Sequence, residues 1–198
     1  MKKRISTLLC LLALAMTSMQ AKDYNVKDFG AIGNGKVLDH HAINTAIDSC
    51  VAHGGGRVVL PAGTYLCGSI RMKSHVELHL MAGSKILAAP ASMKAYDEAE
   101  FFEGTAYQDG GHTYFKNSLI YAIGANDVSI TGRGMIDGEG LTRRDTEKGG
   151  NLQGGNIGTG DKAIALKQCR NILIRDVTIY RGGHFGIILT GCEIGTVE

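Results

Sequence analysis

Tryptophan is missing from this 198-residue sequence, and proline occurs only twice. Glycine, at 28 residues, is left as the main interrupter of local structure. With many short β-branched runs between the glycines, this points to strands joined by tight turns rather than to a low-complexity chain. Beyond the first few residues Lys and Arg form no long cluster, which removes the basic footprint of a nucleic-acid surface. Cys50, Cys67, Cys169 and Cys192 include no CxxC pair, so zinc-ribbon and dithiol redox motifs are excluded. Each lies in an apolar context compatible with a bridge or with a buried thiol. His40-His41 and the pair His75/His79 have no carboxylate or cysteine at ligand spacing, so no metal and no other cofactor is expected.

Long apolar runs are also lacking, with one exception at the start. Lys2, Lys3 and Arg4 precede an apolar stretch over 5–16, and small Ala21 follows polar Thr17 and Ser18. About a dozen apolar residues fall short of the roughly twenty that cross a bilayer, so 1–21 reads as a secretory signal. The expectation is an exported protein, periplasmic or extracellular, with one domain over 22–198 and no membrane contact after cleavage. Without that segment, 18 basic residues face 19 acidic ones, a near-neutral balance.

One helix is expected. Asp39 is placed to cap it, because a carboxylate there can accept from the free amides of the first turn. Ala42, Ile43, Ala46, Ile47, Cys50 and Val51 then recur at helical spacing, and Gly54-Gly55-Gly56 ends the run by allowing a left-handed backbone. Ahead of it, 24–26 reads as a short strand and DFGAIGNG at 28–35 as a loop. After it, short strands are expected at 57–60, 64–67, 69–72, 75–80, 85–88, 118–123, 127–131 and 134–136, with a helical excursion over 91–100.

Two later segments echo each other: Leu166 and Cys169 recur as Leu189 and Cys192, 23 positions on. Asn126-Asp127-Val128-Ser129-Ile130 aligns with Arg170-Asn171-Ile172-Leu173-Ile174 at an offset of 44, read as two such periods. Periods in the twenties indicate a solenoid. The leucine pattern of leucine-rich repeats is missing, and no repeat carries a helical stripe. The reading is an all-β, right-handed, single-stranded parallel β-helix. Leu166, Ile172, Ile174 and Leu189 would face its core, and the helix would cap its N-terminal end. With no matching cap before Glu198, the solenoid is expected to be truncated on its C-terminal side.

These features resemble a known family. DFGAIGNG, the Asp-led helix, GGGRVVLPAGTYLCGSI at 54–70, GRGMIDGEG at 132–140 and RGGHFGIILTGCE at 181–193 are similar to glycoside hydrolase family 28, the polygalacturonases and rhamnogalacturonases of the pectin-lyase-like superfamily. The resemblance implies hydrolysis of galacturonic-acid-containing glycans by an inverting mechanism. One acid protonates the leaving oxygen while a carboxylate base activates water across the ring. It also implies a polysaccharide partner and a monomer when full length. The family's Asn-Thr-Asp, Asp-Asp, Gly-His-Gly and Arg-x-Lys motifs are not found, so no catalytic residue is assigned in this chain, and the first acid is expected downstream of Glu198. The chain alone is then expected to be inactive. Two alternatives stand beside this reading: a lyase using Ca²⁺ held by clustered carboxylates, and a non-catalytic glycan-binding or structural β-helix.

Four residues remain as sugar-binding candidates. Arg181 and His184 lie in RGGHF, where a planar guanidinium suits a carboxylate. Arg143 and Arg144 lie in the polar loop over 141–160, the kind of connection that walls a groove on a solenoid. Asp137, Glu139 and Asp161 read as turn residues, and Tyr180 and Phe185 as packing.

Overall fold

The computed structural model describes residues 22–100, 114–142 and 160–198. The signal segment and the candidates Arg143 and Arg144 lie outside the described residues. After β1 (Asp23–Asn25), a 3-10 turn (Val26–Phe29) and β2 (Asn34–Leu38), the helix α1 runs over His40–Ala52. The chain then winds through β3 (Gly56–Leu60), β4 (Gly63–Cys67), β5 (Ile70–Arg71), β6 (Val76–Leu80) and β7 (Ser84–Ala88). It continues through β8 (Ser118–Ile123), β9 (Asn126–Gly132), β10 (Met135–Asp137), β11 (Lys162–Lys167) and β12 (Arg170–Arg175). It ends with β13 (Thr178–Tyr180), β14 (Phe185–Thr190) and β15 (Glu193–Val197). Between 91 and 100 only a 3-10 turn, Ala91–Met93, forms in place of the expected helical excursion.

From β3 onward every third strand pairs in parallel, and β1 and β2 pair with β3 and β4, giving three sheets: β1-β3-β6-β9-β12-β15, β2-β4-β7-β10-β13, and β5-β8-β11-β14. The result is the right-handed parallel β-helix expected from the repeats. Parallel pairing in register stacks like on like, and the inward columns are aliphatic because both ends of each contact are dry. The first sheet stacks Val58, Leu78, Ile130 and Ile174, and the third stacks Ile70, Ile120, Ile164 and Ile187. The first three members of each column are completely buried. At about 25 cal/mol per Å² of apolar surface removed from water, such columns are the main source of stability. Leu189 sits in register with Leu166 but is 38% exposed, because no described strand pairs beyond β14.

Pairing also measures each turn of the coil. Gly56 faces Val76 and Arg170 faces Glu193, so a bare coil takes 20 to 23 residues. Val128 lies 52 residues beyond its partner Val76, and Arg170 lies 44 beyond Asn126. The offset of 44 is therefore one coil carrying a long connection, and not two periods. The two long connections run over 89–117 and 138–161, both between the second sheet and the third.

The helix covers the open end, packing on β1, β3 and β5 through Ile43, Ala46, Ile47 and Cys50. Asp39 does not cap it. Its buried carboxylate turns to the preceding loop instead and accepts from the amides of Ile32 (2.6 Å) and Gly33 (3.0 Å), fastening the glycine-rich loop to the helix start. Asn44 performs a similar task inside, donating to the Ser69 carbonyl at 2.9 Å and accepting from the Arg71 amide at 2.8 Å.

A column of left-handed residues marks the start of the first sheet's strands. His75, Asp127, Asn171 and Ile194 have φ of 63°, 53°, 55° and 55°. Asp127 joins the first two neighbours, taking 2.8 Å from His75 Nδ1 and 2.6 Å from Asn171 Nδ2. Ile194 breaks the pattern: it is β-branched, 66% exposed, and held where only Gly, Asn and Asp are at ease. Ile194→Asn is expected to raise the unfolding free energy by about 1 kcal/mol by relieving this strain and adding an amide to the column. Urea denaturation followed by circular dichroism checks it, and an unchanged or lower midpoint would count against it.

Candidate functional site

Both long connections open onto the third sheet, and its outer face is where polar chemistry gathers. The connection over 89–117 is fastened there by two carboxylates. Asp97 accepts from Arg71 Nε and Nη2 at 2.7 and 2.6 Å and from the Tyr121 hydroxyl at 2.8 Å. Burial alone would push its carboxyl up, but the Arg71 fork and the Tyr121 hydroxyl outweigh that and hold it below 3.8. Glu100 accepts from the amides of Phe115 (2.9 Å) and Lys116 (3.1 Å), which brings the returning chain back to the sheet. Phe115, fully buried, then packs with Ala165 and Ile188 on the sheet's outer face, flanked by Tyr121 and Phe185.

The leading edge of the sheet carries a polar seam. Ser118, Lys162 and Phe185 are mutual register partners, so Asn117, Asp161 and His184 precede them in a column one residue earlier. Backbone bonds tie that column together: the Asp161 amide donates to the Asn117 carbonyl at 3.1 Å and the His184 amide to the Asp161 carbonyl at 2.7 Å. Asp161 is 2% exposed and Lys162 is fully buried. Lys162 Nζ donates to Asp161 Oδ1 at 2.6 Å and to the Tyr114 carbonyl at 2.8 Å, so this ion pair bridges the two long connections. Asp161 is thus a buried counter-ion, where the sequence pattern suggested a turn residue.

The strand-to-strand turn bearing Arg181 and His184 is pressed against this seam. Gly183 has φ of 74°, and a Cβ there would lie 2.4 Å from the Asp161 carbonyl oxygen, so only glycine allows the approach. His184 packs edge-on to Phe185, with centroids 4.5 Å apart. Arg181 turns the other way. Its Nε and Nη2 donate to the two oxygens of Asp137 at 2.8 and 2.6 Å, Nη2 also reaches Glu139 at 3.2 Å, and its guanidinium lies 4.8 Å from the Tyr180 ring centroid. These carboxylates raise the Arg181 pKa above its ordinary value, the Asp137 bond contributing most. Asp137 ends β10 and is 2% exposed, so it is likewise a strand residue with a partner rather than a turn former.

The structure therefore brings Arg181 and His184 to one turn but aims them differently. The Arg181 fork already holds a carboxylate of its own chain, while His184 sits on the seam. Lys162, Asp97 and Glu100, which fix the site's frame, went unnoticed in the sequence. Glu100 and Asp97 bind groups 15 to 26 residues away and Lys162 reaches the Tyr114 carbonyl 48 residues back, and a charged residue read singly is taken as solvated. The four cysteines among the described residues, Cys50, Cys67, Cys169 and Cys192, are free thiols, and Cys169 and Cys192 are neighbours on adjacent coils. Among the described residues no three His, Cys, Asp or Glu side chains converge as metal ligands, and no helix is long and apolar enough to cross a membrane.

A right-handed coil of three parallel sheets, closed by a helix and opening its long connections onto one sheet, defines a pectin-lyase-like β-helix. Residues 24–193 match the family described as rhamnogalacturonase A/epimerase, pectate lyase-like, and the chain belongs to that family. It is 32% identical over 135 residues to the exo-poly-alpha-D-galacturonosidase of Dickeya chrysanthemi, covering 64% of this chain and 21% of that protein. It is 33% identical over 156 residues to the plasmin and fibronectin-binding protein A of Streptococcus pneumoniae, covering 78% of this chain and 20% of that protein. The family 28 exopolygalacturonase of Yersinia enterocolitica superposes with a TM-score of 0.63 at 26% identity, over 90% of this chain and 40% of that one. The chain thus spans about a fifth of the length of the two curated relatives.

Proposed function

We propose that this chain is the N-terminal part of an exported, pectin-acting glycoside hydrolase, and that it supplies the frame and one wall of the sugar groove rather than the reacting acids. The observation that carries this reading is the polar seam Asn117–Asp161–His184, set between two long connections on the third sheet of a fold homologous to exopolygalacturonases. An inverting hydrolase needs a protonated acid and a separate carboxylate base across the scissile bond. The buried carboxylates described here are committed elsewhere: Asp161 to Lys162, and Asp137 to Arg181. No metal or other cofactor enters this reading, and the substrate is an acidic polysaccharide.

Reducing-sugar release from polygalacturonate by the purified chain, with absorbance of unsaturated uronate followed in parallel, tests it. The expected result is neither product from this chain alone. Reducing ends formed without absorbance would overturn the assignment of the acids elsewhere, and an absorbance rise would favour a lyase. The 33% identity to the pneumococcal protein supports a second reading, a binding module without turnover. Saturable retention on immobilised plasmin or fibronectin would favour that reading.

A further inference from the structure

The first sheet carries a cleft on its outer face, away from the third sheet. It measures about 410 Å³ and is lined by Arg57, Glu77, His79, Thr131, Arg133 and Arg175, with Met81 and Ala82 as its apolar part. In-register pairing explains the assembly: His79, Thr131 and Arg175 share one row across β6, β9 and β12, and Arg57 and Glu77 share the next.

Most of these groups hold one another in place. Arg57 grips Asp23 through Nε and Nη2 at 2.8 and 2.7 Å. The Thr131 hydroxyl donates to Glu77 Oε1 at 2.5 Å, and Thr131 Oγ1 lies 2.8 Å from His79 Nδ1. A hydroxyl has a single proton, so the bond between Thr131 and His79 requires the proton on Nδ1. The His79 ring is thereby fixed in one tautomer, and Nε2 is the nitrogen left for a guest. Arg175 touches Asp176 only at 3.4 Å. Arg133 follows Gly132, whose φ is 110° and whose absent Cβ would lie 2.1 Å from the Leu80 carbonyl oxygen. That close approach fixes where Arg133 leaves the sheet, and it is exposed.

We infer that this cleft binds a carboxylated sugar unit, a hexuronate within an acidic polysaccharide, as a holding site separate from the third-sheet groove. The Arg133 and Arg175 guanidiniums take the carboxylate, as planar forks suit its two oxygens. His79 Nε2 bonds a ring hydroxyl, and Met81, 46% exposed, offers an apolar surface to the C–H face of the ring. The volume falls in the range of small-molecule sites. The choice of a uronate rests on the acidic-glycan reading above, whereas the anion preference rests on the cleft alone.

Methionine methyl resonances give a direct test, since Met81 lies in the cleft and Met93 lies in the connection after β7. Titrating the ¹³C-methyl-labelled chain with trigalacturonate is expected to shift Met81 saturably and leave Met93 in place. Arg133→Gln and Arg175→Gln should each weaken that shift about tenfold, and the fully methyl-esterified trimer should fail to produce it. A Met81 silent to both trigalacturonate and a glucuronate trimer, or an equal response to the ester, overturns the site. Because the readout is a cleft resonance and not product formation, loss of the hydrolase reading would leave it interpretable. A Met81 shift with glucuronate oligomers but not galacturonate oligomers would keep the cleft and remove the pectin reading.

Discussion

Replacing Lys162 by methionine is expected to lower the unfolding free energy by about 3–5 kcal/mol, among the largest effects of any single change in this chain. The side chain is completely buried and its ammonium is held by Asp161 and by the Tyr114 carbonyl. Methionine keeps the length and apolar stem but removes the charge, so the Asp161 carboxyl is left at 2% exposure without that partner. Truncating one member of a buried pair costs far more than the pair contributes, because the survivor keeps its desolvation penalty. The double change Asp161→Asn, Lys162→Met should therefore recover part of the loss. Urea unfolding of the three proteins measures this. A single-variant loss below about 1 kcal/mol, or a double variant less stable than Lys162→Met, would show that the pair does not behave as a buried unit.

The second large effect is a pH dependence centred on His40. Its ring is 5% exposed, with Nδ1 unpartnered, at the first residue of α1. Burial, and then His41 with its ring 4.1 Å away, lower the His40 pKa from 6.5 to about 4; Asp97 pulls it up slightly and Arg71 pushes it further down. In the unfolded chain the ring takes a proton near 6.5, but in the folded chain only near 4. The unfolded state thus binds more protons between those values, and stability must fall as pH drops through that window. The contribution is complete above pH 6.5 and gone below about 4, an effect of about 2–3 kcal/mol. Asp23 and Asp97 have pKa values held below 3.8, Asp23 chiefly by its bond to Arg57, so their share is lost only at lower pH. Denaturation midpoints at pH 7.5, 5.5 and 4.5 should decline steadily for the parent chain and be much flatter for His40→Leu. Parallel slopes for the two proteins would place the pH dependence elsewhere.

The parts of this molecule that repeat at short range were legible in the sequence, and those that depend on a distant partner were not. Leu166 with Leu189, and the neighbours of Cys169 and Cys192, gave the true register of the last coil because only 23 residues separate them. The alignment of Asn126 with Arg170 was also true register, yet 44 was read as two coils. A period search has no means of knowing that one coil detours through a long connection. The apolar stripe of α1 was visible, but the role of Asp39 was not. A carboxylate before a helix caps it by default, and here the folded-back loop offers its amides instead. Strand β2 was hidden for the opposite reason: Asn34–Leu38 carries glycine and polar side chains at the edge of its sheet, with no alternation to betray it. At the candidate site, Arg181 and His184 were found from the RGGHF string. Asp137 and Asp161 were seen but given turn roles, since nothing local announces that Arg181 folds back upon Asp137 or that the adjacent Asp161 and Lys162 are buried as a pair.

The two long connections have an evolutionary corollary. Closing a loop costs free energy that grows only with the logarithm of its length, about 0.6 kcal/mol for each doubling. Residues can therefore be gained or lost between Ala88 and Ser118, or between Asp137 and Lys162, at little closure cost so long as the anchors Asp97, Glu100, Phe115 and Asp161 are kept. A one-residue insertion within the strands of the Ile70–Ile120–Ile164–Ile187 column would instead turn every following side chain of that strand to the opposite face. Lineages built on this frame are free to rewrite the rim of the third sheet by insertion and deletion, while the ladder beneath tolerates substitution alone.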